Sequence, residues 1–169
     1  GLAFIDNMVK RHPEFEEFDN ATVSIPKTVV LCTDIFDEFM DSNSLYQLAL
    51  SDAEDDTILK AFLRAKLPDR LVEDFFAFFE VVKSPIAIRS SSLLEDSHYQ
   101  PFAGIYSTYM IPLVENRNQM LRMLGKAIKS VYASVFYSGS RTYIQTTANL
   151  LSEEKMAVVV QSICGSEHE

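Results

Sequence analysis

The stretch that decides the reading of this chain is Ser84–Met110, SPIAIRSSSLLEDSHYQPFAGIYSTYM. An apolar run, Pro85-Ile86-Ala87-Ile88, meets a single cation at Arg89, and three hydroxyls follow at Ser90, Ser91 and Ser92. A carboxylate pair, Glu95-Asp96, precedes Phe102-Ala103-Gly104 and a β-branched, aromatic run carrying Ser107 and Thr108. That order predicts a strand ending at the arginine, a polar loop, a glycine turn and a second strand. Such a loop suits an anion such as a polyphosphate. Arginine offers forked, permanently charged donors, and glycine lets backbone N–H groups approach phosphate oxygens. The same residues also fit an ordinary surface hairpin whose arginine is solvated or paired with Glu95 or Asp96.

Working outward, apolar spacing predicts a helix from Gly1 to about Arg11, with Leu2, Ile5, Met8 and Val9 on one face. A strand follows at Thr28–Cys32, and Thr33-Asp34 starts a helix that points Ile35, Phe36 and Phe39 inward. The acidic run Asp52 to Asp56 reads as a solvated helix start rather than a metal site, because carboxylates in a first turn suit the helix dipole. Pro68 opens a helix whose Leu71, Val72, Phe75, Phe76, Phe79 and Val82 form a core stripe. The longest helix should run from about Glu115 to Tyr137, broken by Ser138-Gly139, before a short helix and a last strand, Lys155–Cys164. Strands and helices mix without the rhythm of a doubly wound fold. The expectation is an α+β domain with a small, mostly antiparallel sheet.

At 169 residues, 1–169 form one core, with no room for a second complete domain. Fifteen basic against 24 acidic residues give a net charge of −9, which argues against nucleic acid as a partner. It says little about nucleotides, since local donors and a divalent cation set the field in such a site. Cys32 and Cys164 form no CxxC pair and read as small buried hydrophobes. No apolar run approaches membrane-spanning length and no signal peptide is visible, so a cytoplasmic location without membrane contact is expected. Glu95-x-x-His98 has metal-pair spacing only if helical, which a serine-rich loop does not provide. Ser90–Ser92 lack a base–acid arrangement for nucleophilic catalysis.

Several blocks in order resemble the N-terminal nucleotide-binding domain of the phosphoenolpyruvate synthase and pyruvate phosphate dikinase family. They are Ile88-Arg89-Ser90-Ser91, Glu95-Asp96, Phe102-Ala103-Gly104 and Thr108. Ala127-Ile128-Lys129, Tyr132 to Phe136, Arg141 and Met156 to Gln161 follow, with Ile25 to Leu31, Phe36 and Phe39 upstream. The resemblance covers nearly the whole chain and implies the first part of an ATP-grasp-like domain that binds ATP and Mg2+. It implies that Arg89 neutralises phosphate charge in catalysis, and that Gly104, Ser107 and Thr108 turn over the triphosphate. Gln161, with the backbone of Ser162 and Ile163, would read the adenine edge. The implied reaction phosphorylates a histidine on another domain, which passes the phosphoryl group to pyruvate held by a further domain. None of the chain's own histidines (His12, His98, His168) matches that histidine.

The family's glycine-rich block with its phosphate-binding lysine would precede Gly1, and its acidic metal ligands would follow Gly165. The chain is therefore read as a partial domain of a longer enzyme. Ser97-His98-Tyr99-Gln100-Pro101 departs from the family's usual loop. That departure keeps open a non-catalytic regulatory or interaction module. Because related enzymes share the nucleotide domain with different acceptors, the resemblance also leaves open a dikinase acting on an antibiotic or a glucan.

Overall fold

Side chains that alternate between apolar and polar turn four segments into a single sheet. The computed structural model describes residues 2–12, 14, 23–92, 106–145 and 154–165. Within these, β1 (Thr28–Leu31), β2 (Ile86–Ser92), β3 (Tyr109–Ile111) and β4 (Met156–Ser162) form an antiparallel sheet in the order β1-β4-β2-β3. The helices are α1 (Leu2–Arg11), α2 (Thr33–Ser42), α3 (Tyr46–Ala49), α4 (Asp55–Arg64), α5 (Arg70–Val81), α6 (Arg117–Ser134) and α7 (Ser138–Gln145). The α+β class and the small antiparallel sheet are as the sequence led us to expect. No helix among the described residues is long and apolar enough to cross a membrane.

One face of the sheet makes the core. Ile86 and Ile88 of β2 and Met156, Val158 and Val160 of β4 are wholly buried there. Against them lies an aromatic cluster from α2, α4 and α6. Phe36 meets the edge of Tyr132 at a centroid distance of 5.1 Å, Phe39 lies 5.4 Å from Tyr132, and Phe62 lies 5.8 Å from Phe136. Such pairs contribute about 0.5–1.5 kcal/mol each beyond the area they bury. The α6 helix starts where Asn116 Oδ1 accepts from the Gln119 N–H at 3.0 Å. Its Lys129 Nζ donates to the carbonyls of Leu63 and Ala65 at 2.8 and 3.2 Å, closing the C-terminal end of α4.

The structure departs from the sequence reading in several places. β2 does not stop at Arg89 but continues through Ser90, Ser91 and Ser92, because β4 supplies a partner for every one of its residues. Ser138-Gly139 does not break a helix. These residues begin α7, where the Ser138 N–H and Oγ both donate to the Asp55 carboxylate at 2.7 and 2.9 Å. Asp55 is thus an anchor rather than a merely solvated cap. The core face of α5 also includes Phe78. Both cysteines are exposed free thiols: Cys32 caps α2 as the chain leaves β1, and Cys164 follows the end of β4.

Burial sets an alkaline limit on this fold. Tyr46 is pushed up to about 12 by burial and then by Asp37, and Tyr137 to about 12 by burial and then by Tyr109. Burial raises Tyr132 as well, and its hydroxyl is buried with no hydrogen-bond partner among the described residues. Unfolded tyrosine ionises near 10, so these residues contribute stability that is full below pH 10 and is lost as pH climbs toward 12. Lys129, held down by burial, acts oppositely, adding stability as pH rises to its ordinary 10.5 and nothing beyond it. Urea unfolding midpoints should therefore fall most steeply between pH 10.5 and about 12. A midpoint that stays flat over that window would refute the assignment.

Candidate functional site

The other face of the sheet is the one turned away from the aromatic cluster of the core. Alternation places Thr28 and Val30 of β1, Ala87, Arg89 and Ser91 of β2, Met110 of β3, and Ala157, Val159 and Gln161 of β4 on it. Burial agrees with this division. Met110 is 72% exposed and Val30 49%, whereas Ile111 and Leu31, one residue along, are buried. The face is a wall: of four grooves of the described surface, none is lined by Arg89, Thr108 or Gln161. Val30, at its β1 edge, also lines a groove between β1 and α5.

Arg89 rises from the middle of this wall, opposite Val159. It is exposed, and none of the carboxylates among the described residues pairs with it. Glu95, Asp96 and Gly104 lie outside the described residues. Gln161 faces Ala87 and so stands diagonally from Arg89, a spacing of about 7 Å in an antiparallel pair. Its Nε2 donates to Thr28 Oγ1 at 3.0 Å, and that hydroxyl in turn donates to the Pro26 carbonyl at 2.8 Å. The chain holds the amide in place and leaves its carbonyl oxygen uncommitted.

Thr108, one residue before β3, is the position that faces Arg89 when the Ile88–Tyr109 pairing is continued by one step, and it is exposed. Arg89, Thr108 and Gln161 are therefore brought to one face. Ser107 belongs to the helical side: it is half-buried, and its N–H donates to Ser134 Oγ at 3.3 Å. The N–H groups of Ser162 and Ile163 donate to the carbonyls of Lys27 and Pro85 at 2.9 and 2.8 Å. Those N–H groups are committed within the fold, so a ligand at this end of β4 meets Gln161 and main-chain acceptors.

Sequence reasoning missed the apolar part of the wall. Val30, Met110 and Val159 present aliphatic surface on either side of the arginine, and the signal was their place two residues from Thr28, Thr108 and Gln161. It also missed the buried hydrogen bond from the Tyr106 hydroxyl to Glu154 at 3.1 Å, which joins positions with no local pattern in common. Among the described residues no group of three or more His, Cys, Asp or Glu is placed to hold a metal ion.

Comparison with known proteins fits this geometry. The sequence profile of the pyruvate phosphate dikinase AMP/ATP-binding domain matches residues 8–168. The chain is also 30% identical over 143 residues to the uncharacterized phosphotransferase YvkC of Bacillus subtilis (strain 168), a match covering 85% of this chain and 16% of that protein. The chain belongs to the pyruvate phosphate dikinase AMP/ATP-binding domain family, and it spans about 16% of the length of the relative it matches.

Two arginines differ in what they touch. Arg141 is mostly buried and donates to the carbonyls of Ser51 and Ala53, with Asp55 at 3.8 Å, whereas Arg89 touches no acceptor among the described residues. Arg141→Ala should lower unfolding stability by about 1.5–3 kcal/mol, the scale for hydrogen bonds made by a charged group. Arg89→Ala should stay within about 0.5 kcal/mol of the parent. Chemical unfolding of the two variants side by side checks this. Equal losses would mean that Arg89 is also part of the scaffold.

Proposed function

We propose that residues 1–169 are the first part of an ATP-grasp-like nucleotide-binding domain in a cytoplasmic, ATP-dependent dikinase. In this reading the enzyme converts ATP to AMP with paired acceptors: one phosphoryl group passes to a histidine on another domain of the same protein and on to pyruvate, and the other to water or inorganic phosphate. The observation that carries the reading is the exposed Arg89 guanidinium, without a carboxylate partner among the described residues, on a sheet face shared with Thr108 and Gln161 in a chain of an AMP/ATP-binding family.

The chemistry follows from what each residue can do. Arg89 supplies fixed, forked donors for phosphate oxygens, and phosphoryl transfer depends mainly on positioning and charge neutralisation. The Thr108 hydroxyl, beside it, can donate to the same oxygens; the turn role expected of Gly104 lies outside the described residues, and Ser107 faces the helical side. The Gln161 carbonyl and the main chain near Ile163 offer acceptors, which suit the exocyclic amine of adenine. Val30, Met110 and Val159 provide apolar contact for a purine face. Mg2+ would be held by the nucleotide phosphates and by acidic ligands outside the described residues, where it would offset the charge of the transferring group.

Three measurements test the reading. Full-length enzyme should form AMP with pyruvate in preference to glucan or rifamycin. AMP formed only with another acceptor would reassign the substrate, and none with any acceptor would favour a non-catalytic module. In that enzyme Arg89→Ala should slow phosphoryl transfer by at least ~10²-fold, the scale for losing one preorganised donor. Arg89→Lys should rescue little, since a point charge does not reproduce two parallel N–H donors. Near-normal turnover of Arg89→Ala would remove the phosphate role. The 169-residue chain alone should bind ATP weakly and hydrolyse none, because one wall buries too little of the ligand. Micromolar affinity by calorimetry would contradict that.

A further inference from the structure

On the helical side, away from Arg89, a groove of about 430 Å³ lies between α4, α5 and α6. Its floor is apolar, made by Leu63, Leu67, Leu71, Phe75 and Leu121. Its charged lining is entirely cationic. Arg122, Lys126 and Lys129 recur at four- and three-residue spacing along α6 and so share one side of that helix. No carboxylate of the described residues lines it, although the chain carries a net charge of −9. Other grooves do include acids: Asp34 and Asp74 between β1 and α5, Glu115 near the start of α6, and Glu38 and Asp69 between α2 and α5.

Two further details mark this groove. Arg122 and Lys126 are exposed and pair with no carboxylate among the described residues, while Lys129 commits two of its three donors to Leu63 and Ala65. Gly125, midway along α6, lines the groove between the cations. A glycine inside a helix weakens it relative to alanine, and packing does not demand one here. A Cβ at this position would meet only Leu67 Cδ1, at an ordinary 3.6 Å. A larger side chain would extend into the groove, so the glycine keeps it open.

We propose that this groove binds a small amphipathic anion, an acyl or aryl body carrying one carboxylate or phosphate. Its volume falls among small-ligand sites, about 300–1,000 Å³. The apolar floor takes the body, and Arg122 and Lys126 take the head. The site is separate from the nucleotide face and does not depend on the dikinase reading.

The test titrates the full chain with decanoate and, separately, decyl phosphate, followed by calorimetry and leucine-methyl NMR. Saturable one-to-one binding is expected, with shifts confined to Leu63, Leu67, Leu71 and Leu121. Whichever head group binds tighter identifies the natural one. Decanol should bind at least about tenfold more weakly, as should either anion to the Arg122→Glu/Lys126→Glu double variant, since a charge reversal removes the attraction that selects the head. Gly125→Leu should abolish binding with the circular dichroism spectrum preserved. Should that variant unfold, the wild-type shift map and the decanol comparison decide alone. The proposal fails if neither anion saturates, if decanol binds as well, or if shifts arise elsewhere. It also fails if only an acidic helical peptide binds, or if Gly125→Leu disperses a dimer of the chain, either of which would assign the groove to a protein partner.

Discussion

The pairing of β2 with β4 is the constraint on which the rest depends. All seven residues from Ile86 to Ser92 align with Ser162 to Met156, joining segments some seventy positions apart in the chain. Because side chains alternate between faces, this one register sends Ile86, Ile88, Val158 and Val160 into the core and leaves Arg89, Val159 and Gln161 outside. A slip of one residue would exchange the two sets. It would drive an arginine toward Phe36 and Tyr132 and expose two isoleucines, and an unpaired buried charge is among the costliest errors a fold can make. The same alternation that fills the core therefore holds Arg89 out on the open face.

The helical side is tied by a different means. Lys129 closes the end of α4, Arg141 and Asp55 fasten α7 to the turn before α4, and Asn43 donates to the carbonyls of Phe39 and Lys66 at 2.8 and 3.0 Å. Some of these contacts satisfy carbonyls in the last turn of a helix, as at Leu63 and Phe39, where intrahelical partners run out, and the others tie loops between helices. By contrast, Lys10–Asp6, Lys60–Asp56 and Lys66–Asp69 are exposed pairs within a few residues of one another, the kind that contributes little. Cations that matter to the scaffold reach across sequence and bond carbonyls. Arg89 on the sheet and Arg122 and Lys126 on α6 are among the cations with no carboxylate partner among the described residues, as are Arg11 and Arg64.

Much of this was legible in the sequence because periodicity reports burial. The α6 face of Met120, Leu124, Ile128 and Val131 and the inward Phe36 and Phe39 follow from spacing alone. The length of β2 did not, because three serines read locally as a loop and become strand only when β4 lies alongside. The exposure of Cys32 was hidden for a similar reason: an apolar run before a residue does not say on which side of the sheet the chain turns away. Arg89 was found by its isolation at the end of an apolar run and Gln161 by resemblance. Their shared face became visible only with the register between β2 and β4, which no single segment encodes.

The open wall also limits what Arg89 can do by itself. A unit charge pair at 4 Å is worth about 1 kcal/mol in bulk water and about 4 kcal/mol near a protein surface of lower effective dielectric. In the proposed reading, with Met110 and Val30 exposed beside it, a phosphate at Arg89 would stay near the first limit. Covering the wall would move it toward the second and would bury the aliphatic side chains at the same time. The apolar residues and the arginine thus favour the same event: whatever surface closes over β1, β4 and β2 gains hydrophobic contact and strengthens the electrostatics in one step. In the reading proposed above, nucleotide binding and such closure would be coupled through this face, since each removes water that weakens the other.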